Sequence, residues 1–342
     1  MDSITHLFLG GAIAAAIAPA KHRRIALLAG AALNSLPDVD MIPLFLFTDD
    51  PVLRMTWHRA ATHSLLVLPF VAWALWGLLK KYWAPVRQSP MRWFWLILIE
   101  LLAHPLIDAC TVYGTQLLWP LPVPPSMWST LFIIDPMFTL PLFVACVWVA
   151  WLGARAPSRR VAIAGLGIAL AYLLWSVGAK WQVERVVEPS LALAGLSDAP
   201  HFSVPMPFNT LLWRVVALTP EGFVEGEYSL VADRGPIRFR HYPSDAAALQ
   251  EVGDHPAVKE LLWFNHHFMK AEAVDGKLVL TDLRMGLEPD YSFRFAVAER
   301  DGLRWREIPP RQLRWPWYAR KRLPDMWRRI WHADPGSAGA AP

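Results

Sequence analysis

Histidine and aspartate, the side chains that pass protons and bind divalent ions, sit at a few short motifs in the otherwise oily first half of this chain. Asp2, Thr5 and His6 come first, and Asp38 and Asp40 follow in LPDVD. His58, Arg59, Thr62 and His63 stand in HRAATHSLL, Glu100, His104 and Asp108 in ELLAHPLIDACTVYG, and Asp135 precedes a further apolar run. Glu100, His104 and Asp108 are spaced i, i+4, i+8, so on a helix they share one face. Pro105 is expected to kink that helix, because it removes a backbone bond and crowds the preceding turn. His58 and His63 lie roughly 140° apart round a helix of 3.6 residues per turn. Their convergence needs a loop, or a helix starting near Thr62. Imidazole and carboxylate are ligands for zinc and similar ions, and uncompensated carboxylates in or near lipid are costly.

Taken singly, each motif has an ordinary reading. LPDVD can be a turn with capping aspartates, His104 and Asp108 an ordinary helical pair, and Asp135-Pro136 a helix start. Arg59 can anchor at an interface or hold an anionic oxygen with two parallel hydrogen bonds. Their shared side of the chain decides between these readings, and that depends on the elements that carry them.

The 342 residues are 54% hydrophobic with 19 Trp, and the mean hydropathy is +0.27, more apolar than an ordinary soluble domain. Charge is uneven: residues 1–180 hold 21 charged side chains and residues 181–342 hold 41. Apolar segments run over Leu7–Ala20, Ile25–Leu36, Leu65–Leu79, Phe94–Ala103 and on toward Cys110, Leu131–Leu152 and Val161–Ala179. The first two fall short of the ~20 residues of a full crossing. Loops 21–24, 80–92 and 155–160 carry ten Lys and Arg between them. If every segment crosses, all three lie on one side, the cytoplasmic one. The His and Asp motifs then gather on the opposite, outward side, together with the C-terminal half. Asp2 in place of a basic n-region argues against a cleaved signal peptide. No clustered basic-aromatic surface points to nucleic acid. Cys110 and Cys146 lack metal-motif spacing.

Residues 203–308 read as strands with turns. LLWRVVAL and FVEGEYSLVA form one expected hairpin, and MKAEAVDGKLVLTDL forms another at Asp275-Gly276. Between them SDAAALQEVGDHPAVKELLWF reads as helical, with Ser244 as N-cap. The expected fold is therefore a mainly α, multi-pass membrane domain over 1–180 and a β-rich (α+β) soluble domain over 181–308. A basic, poorly ordered tail over 309–342 completes it.

MDSITH, LPDVD, HRAATHSLL and HPLIDACTVYGTQLLWP, in this order, resemble the bacterial inner-membrane metal-dependent hydrolases of the YdjM-like family. The resemblance covers about residues 1–140, and that family is remotely similar to zinc-dependent phospholipase C and related single-strand nucleases. It implies a metal cluster held by His6, one of Asp38 or Asp40, one of His58 or His63, and His104 with Asp108. This sequence lacks the soluble enzymes' further His-x-x-x-Glu pair, so one or two ions are expected, zinc first. Asp2, Glu100 and Asp135 are expected to support the ligands from behind, with Glu100 orienting His104. The implied activity is hydrolysis of a phosphoester in a lipid or other membrane-associated substrate. Asp38 or Asp40 serves as general base and Arg59 neutralises an anionic oxygen. The competing readings are a non-catalytic membrane scaffold that binds a partner, and a proton- or ion-coupled transporter. Neither oligomeric state nor physiological substrate is legible.

Overall fold

A computed structural model of the chain describes residues 1–314 and 319–333. Contacts divide it into two units. The first takes Met1–Leu46, His58–Trp128 and Phe132–Trp175; the second takes Phe47–Trp57, Ser129–Leu131 and the chain from Ser176 on.

The first unit is helical. Helix α1 (Ser3–Ile17) begins at Asp2, whose carboxylate accepts from the backbone N–H of Ile4 and Thr5, both at 3.1 Å. This satisfies two donors that a helix start leaves open. Helix α2 (Arg23–Asn34) returns antiparallel to it. The two cross where Gly10 faces Gly30, and a Cβ on either would meet the other's carbonyl oxygen. After α2 the chain makes a 3-10 turn, Pro37–Asp40, and enters α3 (Met41–Phe47). Helix α4 (Pro51–Trp57) belongs to the second unit, and the chain returns through a second 3-10 turn, Ala61–His63. Helices α5 (Leu68–Tyr82), α6 (Ala84–Gln88), α7 (Pro90–Ala109) and α8 (Pro136–Leu152) follow. Helix α9 (Pro157–Leu193) runs on through residue 180 into the second unit.

Helices α1 and α8 run parallel. At one end Thr5 and Thr139 share a hydrogen bond of 2.6 Å. At the other, Arg24 donates to the carbonyls of Ala150 and Trp151, and Arg159 to that of Ala16. His22 meets Gln88 there at 3.0 Å. The basic loops thus share one end of this unit, opposite the N-terminus of α1.

By length and composition α7 and α9 can each cross a membrane, and up to four crossings result if two bent helix pairs each count as one. Helices α1 and α8, with 15 and 17 residues, are shorter. The segment expected over Leu131–Leu152 is cut back to Pro136, because Asp135 caps the helix there and Pro136 occupies its first turn. Pro105 does not end α7, which continues to Ala109.

The second unit is rich in antiparallel sheet. One sheet has the order β1 (His201–Pro205), β2 (Leu212–Thr219), β3 (Gly222–Ser229), β4 (Arg240–Pro243). The expected β2–β3 hairpin is present, with Thr219 paired to Gly222. Helices α10 (Ala246–Glu251) and α11 (Pro256–Phe264) replace the single expected helical stretch. Pro256 can start a helix but not continue one. The cap is Asp245, which accepts from the Ala248 N–H at 2.9 Å; Ser244 accepts instead from the Ala271 N–H. The second sheet contains β5 (Met269–Val274) and β6 (Lys277–Asp282), turned at Asp275-Gly276 as expected, both with positive φ. A short hairpin, β7 (Gly286–Leu287) and β8 (Asp290–Tyr291), precedes β9 (Arg294–Asp301) and β10 (Arg304–Gln312). The sheet order is β10-β9-β6-β5.

Ala179, Val183, Val187 and Leu191 form an i, i+4 stripe on α9 that packs against Trp213, Val215 and Ala217 of β2 and Val224 of β3. Helix α4 packs on α11 and β10. The tail expected to be poorly ordered carries β10 up to Gln312 and helix α12 (Ala319–Trp331), whose Ile330 is buried with Met206 and Leu212. Apolar anchoring of that kind outweighs the basic composition. Residues 315–318 and 334–342 of that tail lie outside the described residues.

Candidate metal centre

Two turns and one helix end assemble the site within the first unit. The 3-10 turn after α2 supplies Asp38 and Asp40, the turn before α5 supplies His63, and the last two turns of α7 supply His104 and Asp108. One ligand-type atom from each of Asp38, His63, His104 and Asp108 converges within 4.8 Å of the others. His63, His104 and Asp108 are fully buried.

The two imidazoles face each other, with Nε2 atoms 3.0 Å apart. Their other nitrogens fix which atom bears hydrogen. His104 Nδ1 donates to the Asn34 carbonyl at 2.5 Å. Thr62 Oγ1 donates to Asp40 at 2.8 Å, so it accepts from His63 Nδ1 at 3.0 Å. Both Nε2 atoms are thereby left with lone pairs, in the arrangement that metal-ligating histidines adopt. Two lone pairs at this distance repel unless a shared proton or a metal ion lies between them. Around the same point stand Asp38 Oδ1, 3.5 and 3.4 Å from the His63 and His104 Nε2 atoms, and Asp108 Oδ2, 3.3 Å from each. Neither oxygen has a hydrogen-bond partner among the described residues. Four ligands at about 2.0–2.2 Å from a tetrahedral ion are about 3.3–3.6 Å apart. Five of the six edges measured here span 3.0–3.5 Å. The cluster therefore fits a small divalent ion.

The remaining expected residues surround this centre in distinct ways. His6 stacks on the His104 ring at 3.8 Å and reaches Asp108 Oδ1 at 3.2 Å, outside the four-atom cluster. Asp40 faces away from the cluster, accepting from His58 Nδ1 at 2.9 Å and from the Arg59 backbone N–H at 3.1 Å. His58 is thus held by Asp40. Arg59 has φ +67°, packs over Tyr113 at 4.8 Å, and places Nη2 3.2 Å from Asp108 Oδ1. Its Nε and Nη1 are buried with no hydrogen-bond partner among the described residues. The Met1 amine also pairs with Asp108.

Three expected supporting residues lie elsewhere. Asp2 caps α1, and Asp135 caps α8 while accepting from Tyr172 at 2.9 Å. Both sit at helix starts, where their carboxylates are drawn to open backbone donors. Glu100 does not orient His104. It accepts from the Asn34 side chain at 3.1 Å. Asn34 does the orienting, holding His104 by its carbonyl and His6 by its side chain at 3.1 Å. A single polar residue at the end of an apolar run was the only signal for it, and that looks like an ordinary helix end.

No curated protein and no solved structure is matched by the chain. The profile of the YdjM inner membrane protein matches residues 1–183, which contain every residue of the cluster. On that match, over more than half its length, the chain belongs to the YdjM inner membrane protein family.

Proposed function

We propose that the chain is a membrane-bound, metal-dependent hydrolase that cleaves a phosphoester in a lipid or other membrane-associated substrate. The observation that carries this reading is the pair of facing Nε2 lone pairs with two unpartnered carboxylate oxygens beside them. Asp38, His63, His104 and Asp108 would hold the ion, and two nitrogen with two oxygen ligands suit zinc first. When bound, such an ion supplies a Lewis acid that makes water ionise near neutral pH. One ion is proposed, because His6 and Asp40 stand outside the cluster.

The chain's own residues support the rest. Asp40 fixes His58 by its Nδ1 hydrogen, leaving Nε2 of a half-buried imidazole to take or give a proton. Asp40 is therefore an orienting carboxylate and Asp38 a ligand. Nε and Nη1 of Arg59, on different edges of the guanidinium, leave N–H donors beside the cluster, each able to give one charge-assisted hydrogen bond to a phosphoryl oxygen. The family and the apolar helices support anchoring in the inner membrane. Segregation of the basic loops to one end of the helical unit supports a multi-pass topology with those loops cytoplasmic and the cluster and C-terminal unit outward.

The test is an assay of detergent-purified protein reloaded with Zn²⁺ or Mn²⁺ against phosphomonoesters, phosphodiesters, carboxylic esters and peptides. Phosphoester turnover is expected, reduced at least 100-fold in Arg59→Gln with metal content retained. Turnover of peptides alone would overturn the phosphoester assignment, and no turnover with metal bound would favour a metal-stabilised scaffold.

A further inference from the structure

A cavity of about 400 Å³ lies in the C-terminal unit, in the size range of small-molecule sites. Register builds its floor. Lys270 on β5 pairs with Thr281 on β6, which pairs with Arg294 on β9. These three side chains form a row across the sheet, with Glu272 two residues from Lys270 on the same face. Glu288, in the turn of the β7–β8 hairpin, and Asp290, the first residue of β8, form part of the wall.

The charges in this cavity neutralise one another. Lys270 meets Glu272 at 3.1 Å and Glu288 at 3.0 Å, Arg294 meets Glu272 at 3.0 Å, and Asp290 meets Arg322 at 2.8 Å. Two polar atoms stay unmatched. Thr281, 1% exposed, lines the cavity with a buried Oγ1 that has no hydrogen-bond partner among the described residues, and Glu288 Oε2 is likewise buried and unpartnered. Buried orphans of this kind are uncommon and call for an explanation. A carboxylate oxygen can only accept, a threonine hydroxyl can do both, and Lys270 has a third N–H beyond its two glutamates. A cationic ligand would meet Lys270 and Arg294; an anionic one would meet Glu272, Glu288 and Asp290. What matches is a neutral molecule whose adjacent groups each donate and accept.

We infer that this cavity is a binding site for a neutral, hydroxyl-rich ligand, a short saccharide, with Glu288 Oε2 and Thr281 Oγ1 as its fixed polar contacts. Glu288→Gln keeps the shape but turns an acceptor into a donor or a neutral oxygen, and Thr281→Val removes the hydroxyl from a β-branched strand position. The test uses full-length protein in phospholipid nanodiscs, with saturation-transfer NMR on N-acetylglucosamine and maltose, and with inorganic phosphate and choline as competitors. Transfer to at least one sugar is expected. Each variant, shown to be folded by a cooperative melting transition, should weaken it about tenfold or more, and neither phosphate nor choline should displace it. The inference is overturned if neither sugar receives transfer, if stably folded variants bind as wild type does, or if phosphate or choline displaces the sugar.

Discussion

Asp108→Asn separates the two things Asp108 does. Its Oδ1 is the counterion of a buried guanidinium, 3.2 Å from Arg59 Nη2, while Oδ2 points into the cluster, 3.3 Å from both Nε2 atoms. The substitution conserves shape and removes one charge. Leaving Arg59 buried without its carboxylate costs about 3–5 kcal/mol in metal-free protein. Losing a charged ligand should also weaken metal binding by 100-fold or more, beyond the roughly 10–100-fold seen when supporting residues are changed. At free zinc near 100 times the wild-type Kd, binding stabilises wild type by about 2.7 kcal/mol. In the variant the same concentration is near Kd, and the gain falls to about 0.4 kcal/mol. At roughly 2–4 °C per kcal/mol, a zinc-dependent rise of roughly 5–11 °C in wild type shrinks to about 1–2 °C. The assay is a melting curve from intrinsic tryptophan fluorescence, with zinc or with chelator. Asp38→Asn is the control, because Asp38 is a quarter exposed and neutralises no buried arginine. It should lose the zinc-dependent rise while changing metal-free stability by under about 1 kcal/mol. If Asp108→Asn lowered metal-free stability but kept the full zinc response, Asp108 would be an ion-pair partner only and the ligand assignment would fail.

Other consequences follow from the same geometry. Asn34→Ala removes buried hydrogen bonds to His6 and Glu100 and should cost about 2–4 kcal/mol in thermal stability; a change under about 0.5 kcal/mol would deny Asn34 its linking role. Gly30→Ala drives a methyl into the Gly10 carbonyl and Ala14 and should destabilise by about 1–3 kcal/mol, measurable in the same melts. The His201 pKa is raised by its interaction with Glu184 at 3.4 Å. A raised folded value means stability that is fully present below the unfolded pKa of about 6.5 and lost as pH climbs through the folded value. Wild type should therefore lose more melting temperature between about pH 6 and pH 8 than His201→Gln does, and equal losses would count against this pairing.

The sequence made the polar cluster legible because His and Asp are conspicuous in apolar surroundings, and because spacing put His104 and Asp108 on one face of α7. It could not divide labour between Asp38 and Asp40, two residues apart, since that depends on the direction each takes in one 3-10 turn. Asn34 was hidden because its carbonyl, which carries no side-chain signature, holds His104. Likewise nothing in the residues 47–57 announces that this segment joins the C-terminal unit; α4 is placed there by packing on α11 and β10. The β2–β3 and β5–β6 hairpins were readable from alternation and turn residues, whereas the continuation of α9 past residue 180 rests on its Ala179–Leu191 stripe, which the change in charge density obscures. The caps Asp2 and Asp135 show the opposite error, in which a carboxylate near a site is taken for a part of it.

The most direct test is the metal content, by mass spectrometry, of protein purified without added chelator, wild type beside a His104→Ala/Asp108→Ala variant. About one divalent ion per wild-type chain is expected, and close to none in the double variant. Equal content in the two proteins, whether negligible or full, would contradict a metal centre at Asp38, His63, His104 and Asp108.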